Sequence, residues 1–338
     1  MTSGRVTSAK VAARAGVSQS AVSRVFTPGA SASAKTVDKV RKAAAELGYR
    51  PNVLARAMVS GKSRMIGLVV AYLDNHFYPE AVEKLSNALQ EHGYHVLMFM
   101  ASQTAGNIDT VVEEILDYQV DGIVAASVAL SSDLSGRCRA AGVPIVLFNR
   151  HQDDPNLWAV TSDNYAGGYK AAQHLAACGH TRIGHIAGWG GASTQRDREA
   201  GFCDGLAQAG LSLALREDGN FRFDQARLAA RRMLDRPDRP DAVFVANDHM
   251  AFAVMDVARS ELGLRIPQDL AVIGFDDVPS AAWPAYDLTT IRQCADQMVK
   301  RTVDILLTDI AGDSGPPTHE RIAAPLIVRG STLPVKGS

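Results

Sequence analysis

The sequence predicts an α/β protein in two pieces, a small all-α unit at the front and a larger unit of two Rossmann-like lobes behind it. Three observations carry this prediction. First, 338 residues exceed one ordinary domain, and 46% apolar content supports several cores. Second, charge divides with position. Residues 1–62 hold eleven Lys/Arg against two acids, Asp38 and Glu46, leaving 24 basic against 34 acidic residues in a chain whose net charge is only -1. A basic front on an acidic body is the layout of a nucleic-acid reader joined to something else. Third, the periodicity changes from short helical patterns to apolar strand runs alternating with amphipathic helices.

Several classes are excluded early. Cys138, Cys178, Cys203 and Cys294 form no CxxC pair, so neither a zinc motif nor a disulfide framework is expected. MTSGRVTSAKVAARAG has no continuous apolar core of a signal peptide, and no apolar run approaches membrane-spanning length. A cytoplasmic protein with no membrane partner is expected.

Taken in order, Thr7 is placed to N-cap a first helix whose inward residues are Val11, Ala12 and Ala15, and Gly16 supplies the left-handed turn. Ser18 then caps a second helix, QSAVSRVF, burying Ala21, Val22 and Val25. Small residues at 12 and 15 let the two helices cross closely, the pattern of a helix-turn-helix. A third helix follows Ser33, with Val37, Val40, Ala44 and Leu47 at helical spacing and Gly48 at its end. Gln19, Ser20 and Arg24 fall on the exposed side of the second helix, near the end that enters a major groove in such motifs. Arg can bond both acceptors of guanine, and Gln both edge groups of adenine. Thr7, Ser18 and Ser23 are natural phosphate donors.

The runs VTSAKVAARAGVSQSAVSRVF and KVRKAAAELGYRPNVLARAM resemble the headpiece and hinge of the LacI/GalR family of transcription regulators. AGVS, VSRV, LGYRPN and the hinge Ala55-Arg56-Ala57-Met58 carry the resemblance, which continues to about residue 332. Two local departures are Lys10, where an acidic residue often completes a capping box, and Phe26-Thr27-Pro28-Gly29 in place of a Leu-Asn-Gly turn. The resemblance implies a helix-turn-helix headpiece over 1–50, a hinge helix and linker over 51–62, and an effector-binding and dimerisation domain over 63–338. It also implies that Gln19, Ser20 and Arg24 read bases, that Ala55 belongs to the hinge contact with DNA, and that Met58 wedges into the minor groove. Asn52 after Pro51 can cap the hinge helix, and a helix of about eight residues is unstable alone in water. Met58 as a core residue of a helical linker is the alternative reading. A homodimer on double-stranded operator DNA is expected, because one short helix reads too few base pairs. The end GSTLPVKGS carries no leucine heptad for a tetramer.

Beyond Lys62 the strand candidates are 66–72, 95–100, 121–127 and 144–148, then 183–188, 241–247 and 270–276, with helices between them. The family resemblance makes this a type I periplasmic-binding-protein-like sensor, with crossovers near 160, 290 and 323. Gly188-Trp189-Gly190-Gly191-Ala192-Ser193 breaks GxGxxG at its last glycine, and Gly61-Lys62-Ser63 lacks the first glycine of a phosphate loop. There is no GxSxG and no metal-ligand spacing among the nine histidines, so no cofactor and no catalysis are expected.

Ligands of open α/β sheets sit beyond the carboxyl ends of strands. That rule collects Asp74, Asn75, Phe77, Tyr78, Asn149 and Arg150 from one lobe, and Asn247, Asp248, Asp276 and Asp277 from the other, with Arg196, Arg198 and Phe221 nearby. Aromatic faces with Asp, Asn and Arg suit a carbohydrate or sugar acid. The resemblance singles out Phe77, Tyr78, Asn149, Arg198, Phe221, Asn247 and Asp276. Phe221 and Tyr78 could equally be packing, Asp248 could cap the following helix, and Trp189 and Trp283 are rim candidates. Asn149 stands where relatives often carry Asp, which tips the expectation toward an acidic or phosphorylated effector. A solute-binding protein would share the sensor fold without the basic front, and a purine effector or a two-lobed sugar enzyme are the remaining competitors.

Overall fold

The computed structural model describes residues 6–27, 30–50, 62–101, 105–128 and 130–332. Its contacts divide the chain into two compact units, Met1–Arg64 and Met65–Ser338. Asn52, Ala55 and Met58, with the expected hinge helix, lie outside the described residues, as do Pro28, Gly29 and the last six residues.

In the first unit, α1 spans Ser8–Ala15, α2 Gln19–Phe26 and α3 Ala34–Leu47. Thr7, Ser18 and Ser33 each accept a backbone N–H from three residues on, and Gly16 and Gly48 close α1 and α3 at φ of 64° and 66°. Lys10 does not spoil the first cap: its own N–H reaches Thr7 Oγ1 at 3.4 Å. Val11, Ala12, Val22, Val40, Ala43 and Ala44 form the core, roofed by Phe26 and Tyr49, whose rings lie 5.8 Å apart.

The second unit holds two six-stranded sheets. The strands and helices of the first sheet are β1 Met65–Val70, α4 Phe77–Glu91, β2 His95–Met100, α5 Ala105–Asp117, β3 Gly122–Ala126, α6 Ser132–Ala140, β4 Ile145–Phe148 and β5 Trp158–Ser162. The second set is α7 Asn164–Ala177, β6 Ile183–Ala187, α8 Ser193–Gln208, β7 Leu215–Asp218, α9 Phe223–Leu234, β8 Ala242–Val245, α10 Asp248–Asp256, β9 Ala271–Asp276 and β10 Thr289–Arg292. The chain then returns through α11 Ala295–Ala311 and β11 His319–Ile322 to the first lobe, and through β12 Leu326–Ile327 to the second. The sheet orders are β11-β5-β4-β3-β1-β2 and β12-β10-β9-β8-β6-β7. Every pairing is parallel except the antiparallel β10–β12 pair.

Why these runs become strands follows from burial. β1, β3, β4, β6, β8 and β9 are buried at every residue, as expected for parallel strands covered by helices on both faces. The edge strand β7 alternates in exposure, and no residue of the edge strand β2 is fully buried. β5, β7, β10, β11 and β12 were not among the strands read from the sequence. They are two to five residues long, and Leu-Arg-Glu-Asp and His-Glu-Arg-Ile are too polar to register as buried runs. The chain crosses between the sheets after Ser162, after Arg292 and after Ile322. Among the described residues no helix is long and apolar enough to cross a membrane.

Candidate functional site

On the first unit, Gln19, Ser20, Ser23 and Arg24 are all exposed and, at spacings of one, four and five, share one face of α2. Gln19 Nε2 donates to Ser8 Oγ at 2.9 Å, which ties the start of α2 to α1. Arg24 Nε reaches only the Ser20 carbonyl, at 3.5 Å, leaving the rest of its guanidinium free of protein partners. Capping uses a lone pair of the Thr7 and Ser18 hydroxyls and leaves their protons available to a phosphate oxygen. Ser18 and Ser20 also hydrogen-bond each other at 2.9 Å.

On the second unit, the carboxyl ends of the parallel strands converge. Tyr72 and Asn75 follow β1, Ser127 follows β3, Asn149 and Arg150 follow β4, and Asn164 follows β5. From the other lobe come Trp189 after β6, Phe221 after β7, Asn247 after β8, Asp276 at the end of β9 and Gln293 after β10. Six of the nine non-glycine residues with positive φ among those described lie at these ends: Ser127, Asn149, Asn220, Phe221, Asp276 and Asp277. Such conformations cost about 1–3 kcal/mol each and collect where a ligand is clamped.

Asp276 is the centre of the cluster. It accepts Asn75 Nδ2 at 2.9 Å from the opposite lobe and Gln293 Nε2 at 2.7 Å, and Gln293 in turn takes the Ser162 hydroxyl at 2.9 Å. Arg198 Nη2 stands 3.7 Å from its carboxylate. Arg198, on α8, and Asp276, at the end of β9, both belong to the second lobe. Arg198 is further held by Asn164 Oδ1 at 2.8 Å and the Ala246 carbonyl at 2.6 Å, with the Phe275 ring centroid 3.6 Å away. Burial pulls both groups toward neutrality, raising the Asp276 pKa and lowering that of Arg198, and the charge of each opposes the shift of the other. A cavity of about 370 Å3 opens beside Asp276, lined also by Phe77, Lys84, Arg292 and Gln293.

The other sequence-derived residues fall around this centre. Tyr78 is buried, its hydroxyl bonded to Ser127 Oγ and accepting Asn149 Nδ2 at 2.8 Å, and its ring meets Tyr72 edge-on at 4.9 Å. Burial raises the Tyr72 pKa well above its ordinary value, so that hydroxyl stays protonated. Phe77 is stacked on Phe148 at 6.3 Å and serves as wall and core together. Phe221, at φ 59°, is buried so closely over Gly188 that a Cβ there would meet its ring at 2.2 Å. Asn247 is the N-cap of α10, accepting Met250 N–H at 3.0 Å. Asp248, considered as a cap, instead turns inward: it accepts Thr290 Oγ1 at 2.6 Å and Val278 N–H at 3.1 Å. Burial first, and the Asp276 charge second, push its pKa up to about 8. Arg196 is spent on the Gly191 carbonyl at 3.0 Å. Trp283 is exposed, and Trp189 lies under the Arg150 guanidinium.

Tyr72, Ser127, Asn164 and Gln293 were missed. Asn164 and Gln293 follow β5 and β10, strands that the sequence did not reveal, and so the strand-end rule had nothing to act on. Further bonds close the lobes on each other: His76 with Ser280 at 3.2 Å, the His151 N–H to Ser193 Oγ at 3.0 Å, and His151 Nε2 with Asp197 at 3.1 Å. Among the described residues no group of three or more His, Cys, Asp or Glu could hold a metal ion.

A helix-turn-helix in one unit and a two-lobed cleft in the other define the class of ligand-responsive DNA-binding regulators. Comparison with known proteins places it. Residues 9–52 match the model for bacterial regulatory proteins of the lacI family, and residues 172–332 match a periplasmic binding protein-like domain. The ribose operon repressor of Escherichia coli (strain K12) is 31% identical over 326 residues, 95% of this chain and 98% of the relative. The crystal structure of the lac repressor dimer bound to operator and the anti-inducer ONPF superposes with a TM-score of 0.88 at 29% identity, covering 98% of this chain and all of that one. A complex of the transcriptional regulator CelR with cellobiose gives a TM-score of 0.73 at 31% identity, covering 97% and 100%. The chain belongs to the LacI family of bacterial regulatory proteins.

Proposed function

We propose that this regulator is a cytoplasmic repressor that binds a near-palindromic operator as a homodimer and answers to a carbohydrate or sugar acid held between its lobes. Thr7, Ser18, Ser23 and Asn52 meet phosphates, Gln19, Ser20 and Arg24 read base edges, and Ala55 and Met58 enter the minor groove from the 51–62 hinge. Phe77, Tyr78 and Phe221 wall the effector, while Asn149, Arg198, Asn247 and Asp276 bond it. The observation that supports this reading most is the Asn75–Asp276–Gln293–Ser162 chain, which crosses from lobe to lobe through the one carboxylate that also faces Arg198. A compound that replaces those bonds changes how the lobes are held, and only a compound with different affinity for the two arrangements can shift the DNA-binding equilibrium. The relatives' sugars, ribose in one name and cellobiose in another, support the chemical class.

Selection of duplexes from a randomised library by the full chain, followed by titration of a sugar and sugar-acid panel against the selected site, tests the proposal. A symmetric site whose occupancy changes with at least one compound is the expected result. Selection without symmetry, or a site indifferent to every compound, overturns it.

A further inference from the structure

Arg150 is the odd member of the cleft. It follows β4 and is only 5% exposed, yet among the described residues it makes no hydrogen bond or ion pair, and its Nε is buried without a partner. The Trp189 ring of the opposite lobe lies 5.8 Å from the guanidinium carbon, and the Tyr72 hydroxyl is near enough to feel its charge. A ring satisfies the face of a guanidinium and leaves its edge of N–H donors unanswered. Arg198 shows how the same side chain looks when protein groups answer it, with an amide oxygen, a backbone carbonyl and a carboxylate around it. The Arg150 Nε is the donor sealed from solvent without a partner, so a ligand group that accepts from this guanidinium gains a bond that the protein does not supply.

The buried carboxylates nearby are already engaged. Asp276 is held by Asn75 and Gln293 and faces Arg198, and Asp248, with its pKa pushed up to about 8, is mostly protonated at neutral pH. Asn149, beside Arg150, is neutral, and its buried Oδ1 has no donor. Among the buried groups of the cleft, two guanidiniums are therefore set against one charged and already engaged carboxylate, and the residue next to Arg150 carries a free acceptor. We infer that the compound taken by the cleft is an anion, a sugar acid or sugar phosphate, whose charged group is received by Arg150 while Asn149 accepts an adjacent hydroxyl. This rests on the carbohydrate reading above. Carboxylate and phosphate both offer the paired oxygens that fit a guanidinium fork.

Calorimetry of the full chain with matched compounds tests the inference: gluconate, glucuronate and glucose 6-phosphate against glucose, and ribose 5-phosphate against ribose. At least one anion is expected to bind about tenfold or more tightly than its neutral partner, in keeping with a charge-assisted bond. Which arm responds separates carboxylate from phosphate. Arg150→Gln keeps size and donors without charge and should erase most of that preference. Asn149→Asp supplies an internal carboxylate to Arg150 and should move preference toward the neutral sugar. Thermal unfolding shows whether each variant folds, and the wild-type ratio stands whether or not they do. A neutral sugar bound as tightly as its acid, or a preference unchanged in the folded variants, overturns the inference and leaves the carbohydrate reading intact. If none of these six compounds binds, the carbohydrate reading falls as well.

Discussion

Asp276 sits at φ 131° with both carboxylate oxygens accepting from primary amides, and those amides cannot easily turn round. Asn75 Oδ1 is fixed by the Phe77 N–H at 3.1 Å, and Gln293 Oε1 by the Ser162 hydroxyl. Replacing Asp276 with Asn must therefore point one NH2 at another. We expect Asp276→Asn to destabilise the second unit by about 1–3 kcal/mol in urea unfolding, the cost of a buried polar group facing the wrong partner. A variant as stable as the parent shows that the amides reorient. Arg24 makes the opposite case, since its exposed guanidinium has almost no protein contact to lose. Arg24→Ala should leave folding unchanged and cost about 1–3 kcal/mol at a single base position. A uniform loss of affinity across all positions would assign Arg24 to phosphate instead. Asp276 and Arg198 were legible because one ends an obvious apolar strand and both match a known pattern. Arg150 was collected by the same strand-end rule but not singled out, since the lack of partners that distinguishes it is a fact of packing.

Among the elements, α7 and α8 explain how Arg198 is aimed. The two helices touch backbone to backbone through glycines: a Cβ on Gly168 would lie 2.0 Å from the Arg198 carbonyl oxygen, and one on Gly201 would lie 2.0 Å from that of Tyr165. Neither contact can be relieved by a side-chain rotation. Gly201→Ala should thus destabilise by about 1–3 kcal/mol, as overpacking does, although alanine favours helix at an open position. It should also weaken effector binding by shifting the helix that carries Arg198. An unchanged or raised melting temperature would mean that the helices separate without cost. In the sequence these glycines read only as poor helix formers, because the close approach that requires them joins residues about thirty positions apart. The caps are the reverse case: Thr7, Ser18 and Gly16 act within a few residues, and local sequence contains all the information they need.

At the scale of the molecule, the doubly wound lobes were legible because six fully buried strands announce themselves as apolar runs, whereas the short strands at the crossovers owe their pairing to neighbours distant in sequence. Burial also sets how stability depends on pH. Burial lowers the pKa of His185 and His319 to about 4. Between pH 4 and the unfolded value near 6.5, the unfolded chain binds protons that the folded one refuses, so these histidines make stability rise with pH until about 6.5. Asp248 acts with the other sign. Its folded pKa, about 8, exceeds the unfolded value near 3.9, so the folded chain keeps a proton that the unfolded chain releases, and stability falls as pH rises toward 8. Below 6.5 two imidazoles outweigh one carboxyl; above it the carboxyl acts without them. Stability should peak near pH 6.5 and fall by up to about 2 kcal/mol by pH 8, at about 1.4 kcal/mol per unit for one proton. Asp248→Asn imitates the protonated acid, because the Thr290 hydroxyl can rotate to accept its NH2, and should flatten that decline. Urea unfolding of parent and variant from pH 5.5 to 8.5 decides the matter. A parent whose stability holds or rises between 6.5 and 8, or a variant that declines as steeply as the parent, would show that Asp248 is ionised in the folded protein, drawing enough from Thr290 and Val278 to hold its charge beside Asp276.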